Sequence, residues 1–357
     1  MGMVIWLIKV RINILDKMKK NFPIYLIGLL LCSCHSNNPT VTFKEDEAYI
    51  SAFDSIECPS SILNPEYFFH YNGNFWVLDN SNPSGILHII NPKGELILSG
   101  LGEGNGPDEV LEATSIRVIN GNVFIYDSPK GNVSQISIED SVFKLDVIAD
   151  NIRLMDDAVI LKNNSLLLLP VGRNCSYYIQ DAESGNNIDS LSYFPPAPKG
   201  IQNEIHSLAC TGTFEIMDNY LYAARILSYD GGIDFFHIGD NKISHIGRVT
   251  NFEMEYSVND QGMPIPNNNT KVGYASITSS KNMFYATFSE EMALKNTVGE
   301  SNEIHQFSET GEPLRKYILD RNVMSIFISQ NNDYLYAISC SNSETCKIYI
   351  YRISGNI

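Results

Sequence analysis

Residues 74–79 (NFWVLD) constrain the fold most, because an apolar run of the same kind returns five more times along the chain. The returns are NVFIYD at 122–127, SLLLLP at 165–170, NYLYAA at 219–224, NMFYAT at 282–287 and DYLYAI at 333–338. Each follows a turn-forming cluster such as Asn72-Gly73, Asn120-Gly121 or Asn331-Asn332. A short run rich in β-branched and aromatic residues, entered through Asn and Gly, predicts a buried strand after a tight hairpin turn. Repeats of this kind at intervals of roughly 40 to 60 residues predict propeller blades.

Each copy extends into a unit of four strands. In the first, strands are predicted over 67–71, 75–78, 86–91 and 95–99, with Pro92-Lys93-Gly94 turning the last pair. The fourth unit places its second strand at 220–224, so that Arg225 falls just beyond it. The final unit has three strands, 325–329, 334–339 and 347–352. An open blade edge exposes unpaired backbone groups, so residues 48–57 (AYISAFDSIE), which alternate as a strand, are expected to close the ring. The expected fold is an all-β, six-bladed β-propeller of four-stranded antiparallel blades over 45–357, closed by one N-terminal strand. Residues 251–271 and 288–300 read as long loops without structure of their own.

The N-terminus reads as a leader over 1–33. Lys17-Met18-Lys19-Lys20 precedes an apolar stretch at 22–31 that is too short to span a bilayer but suits a secretory signal, with Met18 as the expected true start. The sequence Leu31-Cys32-Ser33-Cys34 resembles the lipobox of bacterial lipoproteins, which implies lipidation of Cys34 and a short polar tether over 34–44. Residues 1–33 hold five Lys and Arg against one Asp, so their removal takes the formal charge from −16 to −20. Such a surface repels phosphates, which argues against nucleic acid as a partner and limits membrane contact to the lipid anchor.

Between the first two units lies GLGEGNGPDE at 100–109. No glycine triplet there has dinucleotide-loop spacing and no long helix is predicted to follow, so Gly102, Gly104, Gly106, Pro107 and Glu109 are expected to carry the chain between blades. Together with Val77-Leu78-Asp79 and Ile89-Ile90-Asn91-Pro92-Lys93-Gly94, the segment Gly104-Asn105-Gly106-Pro107-Asp108-Glu109 resembles the TolB-like six-bladed β-propeller lipoproteins of Gram-negative bacteria, with Asp108 where a Gly is usual. The resemblance implies a lipid-anchored propeller of the cell envelope, on the outer membrane, acting as a binding scaffold. Its side of the membrane stays open.

Sequence patterns for hydrolase elbows, zinc pairs and EF-hands are missing, and neither a metal nor a cofactor is expected. His206 and Cys210 lie four apart, in a segment without a clear helix pattern. Asp79 and Asp127 end equivalent strands, where each is expected to cap its own backbone turn. In a propeller the loops of one rim converge, and Asp79, Asp127, Arg173, Arg225, Tyr229 and Glu290 are the candidate ligand rim. Arg173 and Arg225 stand out as cations able to clamp an anionic or sugar ligand. Cys340 and Cys346 bracket a predicted hairpin and are placed either to pair as a disulfide or to stay as free thiols. The expected function is non-catalytic binding, as a monomer, of an envelope protein, peptide or glycan. The alternative is a carbohydrate lyase, or a lactone or glycoside hydrolase, with its site at the channel mouth.

Overall fold

The structure is a computed structural model that describes residues 41–357 apart from 83–84, 153–154, 162, 173–175, 218–219, 240–241, 296–298, 341–344 and 354–357. The leader, Cys34 and most of the tether lie outside the described residues. Two short strands come first, β1 (Ala48–Ile50) and β2 (Asp54–Glu57). Blade I is β3 (Tyr67–Tyr71), β4 (Asn74–Leu78), β5 (Leu87–Ile90) and β6 (Leu96–Gly100). Blade II is β7 (Ala113–Ile119), β8 (Asn122–Asp127), β9 (Asn132–Glu139) and β10 (Val142–Ala149). Blade III is β11 (Met155–Ile160), β12 (Ser165–Pro170), β13 (Tyr177–Asp181) and β14 (Asn187–Leu191). A short helix, α1 (Asn203–Ala209), leads into blade IV: β15 (Gly212–Ile216), β16 (Tyr222–Leu227), β17 (Gly232–Gly239) and β18 (Lys242–Thr250). A small hairpin, β19 (Ser257–Val258) with β20 (Pro264–Ile265), precedes blade V: β21 (Lys271–Ser279), β22 (Met283–Met292), β23 (Ser301–Ser308) and β24 (Pro313–Val323). Blade VI comprises β25 (Ser325–Ile328), β26 (Tyr334–Cys340) and β27 (Cys346–Arg352).

Each blade pairs its strands in sequence order, antiparallel throughout. The hairpins follow from local chemistry. Asn72 and Gly73 take φ of 49° and 77°, and Asn120 and Gly121 take 51° and 74°, the left-handed pair that a two-residue hairpin turn requires. Apolar side chains from facing blades fill the spaces between them. One cluster joins blades I and II through Trp76, Ile89, Ile125 and Phe143. Others run from blade II through III to IV, from IV to V and from V to VI. Ile56, Phe75, Val77, Ile338 and Ile348 pack the last space, between blades VI and I.

The segment 48–57 closes the ring on blade VI as expected, but as two strands rather than one. β2 pairs antiparallel with β27, Ile56 opposite Ile348, and so becomes the outer strand of blade VI. β1 instead runs parallel to β24 and adds a fifth strand to blade V, with Ile50 opposite Leu319. The chain thus crosses from one blade to the next between residues 50 and 54, and the N-terminal segment latches two blades at once. The two expected loops are corrected as well. β22 runs on to Met292 and so takes in 288–292, and 251–271 holds the β19–β20 hairpin, where Asn259 accepts the N–H groups of Gln261 and Met263 at 3.0 and 2.9 Å.

The second strand of blade IV starts later than 220. Met217 donates to the Tyr222 carbonyl at 3.0 Å, and Tyr220 takes φ of 58°, so the apolar run enters through a longer turn and the strand begins at Tyr222. Periodicity sees the run but not where pairing begins.

The latch gives a direct stability prediction. Ile56 is buried, whereas Tyr49 is 75% exposed. Urea unfolding of Ile56→Ala is expected to show a loss of about 2–4 kcal/mol, and Tyr49→Ala a change below about 0.5 kcal/mol.

Candidate functional site

The inner strands β3, β7, β11, β15, β21 and β25 stand in ring order, each touching the next and β25 returning to β3. They enclose a central channel of about 750 Å³. An inner strand turns one face to its neighbours and one to the axis, so polar residues in otherwise apolar runs mark the lining. Thr213 and Glu215 of β15, two apart, and Arg117 of β7 are of this kind.

Arg117 organises one side of the channel. Its Nη1 donates to Asp157 Oδ1 at 2.9 Å and its Nη2 to Asp157 Oδ2 at 2.6 Å, a bidentate pair between blades II and III. The same Nη2 donates to the Phe214 carbonyl at 2.5 Å, and the guanidinium lies 5.3 Å from the Phe214 ring. The Thr213 hydroxyl donates to Asp157 Oδ2 at 2.8 Å, and the phenol of Tyr67 in blade I reaches the same threonine. Blades I and IV face each other across a ring of six, so this cluster ties opposite walls together. Burial pushes the Tyr67 phenol up to about 12 and keeps it neutral. Next to Asp157, burial raises the Asp156 carboxyl to about 6, against the N–H that Gly212 donates at 3.2 Å. On the far wall Glu215 accepts from the Ser279 N–H and hydroxyl, at 3.1 and 2.8 Å.

Of the residues expected on the rim, Asp79, Asp127, Arg225 and Glu290 are each held by separate partners. Asp79 is fully buried and accepts the N–H groups of Leu63 and Asn64 at 2.6 and 3.1 Å and of Ser81 at 3.0 Å. Burial disfavours its charge, but these donors and the Ser81 hydroxyl outweigh it and hold the carboxyl below the usual range. Asp127 repeats the arrangement in blade II, accepting from Leu111 at 2.8 Å, Glu112 at 3.5 Å and Lys130 at 3.2 Å. In both blades the bonds span 16 and 15 residues backwards, so each aspartate pins the connection that enters its own blade.

Arg225 requires a correction. It lies inside β16, fully buried, with Nη2 donating to Asp234 Oδ2 at 2.8 Å. Asp234 also meets Arg248 at 3.2 Å, and Arg248 binds both oxygens of Asp230 at 2.8 and 2.7 Å. Burial opposes the Asp234 charge, but Arg225, His245 and Arg248 together hold its carboxyl far below the usual range. Tyr177 lies under the Arg225 guanidinium, 5.2 Å from ring centre to Cζ. The arginine is a structural ion-pair partner and offers no clamp to an external ligand.

Glu290 lies in β22, exposed, and pairs with Lys271 at the start of β21 at 3.0 Å. Tyr229 is 39% exposed in a turn at φ 60°. Arg173 lies outside the described residues. In the glycine-rich loop, Glu109 accepts the Gly106 N–H at 2.6 Å, and Lys130 donates to the Gly106 and Glu109 carbonyls at 3.2 and 2.6 Å. A Cβ on Gly104 or Gly106 would meet the Glu109 carboxylate, which fills the loop from within. Gly102 accepts the Val110 N–H at 3.0 Å, beside Pro107 in the same connection. Cys340 and Cys346 face each other across the β26–β27 hairpin and are disulfide-bonded.

His206 and Cys210 lie on and just after α1, contrary to the expected absence of a helix. His206 Nδ1 is 3.0 Å from the Tyr256 hydroxyl, and its Nε2 is 2.9 Å from the Pro195 carbonyl and 3.5 Å from Cys210 Sγ. Burial pushes the thiol up to about 12 and lowers the imidazole, so the pair is neutral and buried, unlike an activated nucleophile. Among the described residues no group of three or more His, Cys, Asp or Glu is placed to hold a metal ion.

Six four-stranded blades around an open axis define a six-bladed β-propeller. Residues 92–331 match the family described as TolB-like 6-blade propeller-like, and the chain belongs to that family. Among solved structures it is similar to a member of the DUF4221 family from Bacteroides vulgatus, with 11% identity, TM-score 0.53 and coverage of 85% of this chain and 97% of that one. A protein of Bacteroides fragilis described as exported gives 11% identity and TM-score 0.50, covering 85% and 99%. The β-propeller domain of Cps50 (Swd1) from Myceliophteria thermophila gives 10% identity and TM-score 0.51, covering 85% and 100%. At these identities the likeness is one of fold alone. No curated protein matches the sequence.

Two predictions follow from the charges at the channel. Asp157→Ala leaves Arg117 without its counter-ion, and urea unfolding is expected to show a loss of about 3–5 kcal/mol, much of it recovered when Arg117→Met is added. Asp156, with its carboxyl raised from 3.8 to about 6, makes the folded state hold the extra proton between those values. Its contribution is therefore present at low pH and lost as pH rises through about 6. Asp156→Asn is expected to raise the urea midpoint at pH 7 and to leave it unchanged near pH 4.

Proposed function

We propose that this protein is a non-catalytic binding propeller of the cell envelope, held to the outer membrane by a lipid on Cys34. It takes a small ligand, or one residue of a peptide or glycan borne by an envelope partner, into its central channel. The observation that carries this reading is the channel itself. Its volume of about 750 Å³ falls within the range of small-molecule sites, and its wall mixes aromatic rings with hydroxyl, amide and carboxylate groups. The envelope location is supported by the family, by the exported relative of the same fold and by the signal-like stretch ending in Leu31-Cys32-Ser33-Cys34. An acidic chain favours such partners over nucleic acid.

The reading is tested by filling the channel. Ala275 is exposed and lines it, so Ala275→Trp places a large ring at the channel. Native mass spectrometry of protein incubated with envelope extract is expected to show low-mass adducts on the wild type that Ala275→Trp loses. Adducts retained equally by the variant, or none on either protein, would overturn the channel as the binding site.

A further inference from the structure

We propose that the channel selects ligands that carry an ammonium or guanidinium group. The inference rests on the channel being the binding site and adds the chemistry it prefers. Among the described lining residues the carboxylates are Glu66 and Glu215, and the cationic side chains are Arg117 and His70. Arg117 is already answered. Both terminal nitrogens bind Asp157, and Nη2 is further held by the Phe214 carbonyl, so the guanidinium has no fork left to present to a carboxylate or phosphate. Burial lowers the His70 imidazole, which leaves it neutral near pH 7. The wall therefore carries an excess of negative charge in a confined, partly desolvated space, where it acts on a ligand more strongly than at an open surface.

Aromatic rings complete a cation-binding wall. Tyr67, Tyr71, Tyr220 and Phe327 line the same space, and Tyr71 is fixed by its hydroxyl, which donates to the Gly121 carbonyl at 2.5 Å. Ring faces and carboxylates together recognise ammonium and guanidinium groups, the rings through their quadrupoles and the carboxylates through charge-assisted hydrogen bonds. Neutral hydroxyls from Ser276, Thr278 and Ser325 leave room for the uncharged remainder of the ligand.

Three end-blocked tripeptides, acetyl-Gly-Lys-Gly-amide, acetyl-Gly-Ser-Gly-amide and acetyl-Gly-Glu-Gly-amide, titrated calorimetrically into the full chain, test the selection. The lysine probe is expected to bind at least about tenfold more tightly than the serine probe, a difference of about 1.4 kcal/mol, and the glutamate probe most weakly. Glu215→Gln, which keeps an acceptor for Ser279, is expected to reduce lysine-probe affinity about tenfold and to leave serine-probe binding and the thermal midpoint unchanged. Equal binding of all three probes, or preference for glutamate, overturns the selection while leaving the channel as a binding site. Lysine-probe binding that survives undiminished in Ala275→Trp shows attraction by the acidic surface and also overturns it. Failure of every probe to bind contradicts both the selection and the channel reading.

Discussion

The structure depends on one pairing more than any other, the antiparallel contact of β2 with β27. Without it blade VI would end in an unpaired strand, and the apolar space between blades VI and I would open at Ile56 and Ile348. The Phe53 N–H donates to Ile350 and the Cys58 N–H to Cys346, so the latch is bonded at both of its ends. Because the first and last parts of the chain meet there, closing the ring requires that the intervening blades be in place, and this makes the assembly cooperative. The neighbouring β1, in parallel on blade V, extends the same segment over a second blade. A single stretch of chain thus spans the junction between two sheets.

With the ring closed, the remaining buried charges fall into two classes. Some hold backbone: Asp79 and Asp127 fix the connections into blades I and II, and Glu109 fills its own glycine loop. Others hold blades to one another, as Arg117 does across the channel and as the Arg225, Asp234, Arg248 and Asp230 chain does within blade IV and against blade III. Pairing of this kind adds less to stability than its Coulomb energy suggests, but removing one partner is costly, so it fixes geometry. The consequence is that Arg117, Arg225 and Arg248 are already engaged, and the described wall of the channel presents carboxylates, phenols and hydroxyls.

The six repeats were legible because hairpins with Asn-Gly turns and apolar runs are local features. The turn caps from Asp79 to Ser81 and from Asp127 to Lys130 were legible for the same reason, whereas the bonds from Leu63 and Leu111 to the same two carboxylates, 16 residues apart in sequence, were not. Arg225 was misjudged because β16 enters two residues later and ends three residues later than expected, which moves a side chain from a rim into the blade, and the register depends on the Met217–Tyr222 turn rather than on hydrophobicity. The division of residues 48–57 into two strands also escaped a periodic reading, because alternation says that a stretch is extended but not which partner it meets. The channel wall and the carboxylates behind it left a fainter trace: Arg117 within SIRV and Thr213 and Glu215 within GTFEI line the channel, Asp156 and Asp157 within MDDAVI stand behind them, and all are polar residues interrupting inner strands. They gather only once the blades stand in a circle, since the Arg117 and Thr213 side chains that meet are 96 residues apart.

Ring closure is the claim on which both the channel and its chemistry stand, and native-state hydrogen exchange measures it directly. If the latch is integral, the amides of Phe53 and Cys58 exchange with the same opening free energy as those of β26 and β27, because the pairing is lost only when the whole ring unfolds. Fast exchange at Phe53 and Cys58, with β26 still protected, would mean that the last blade stands without its outer strand, and would contradict the account.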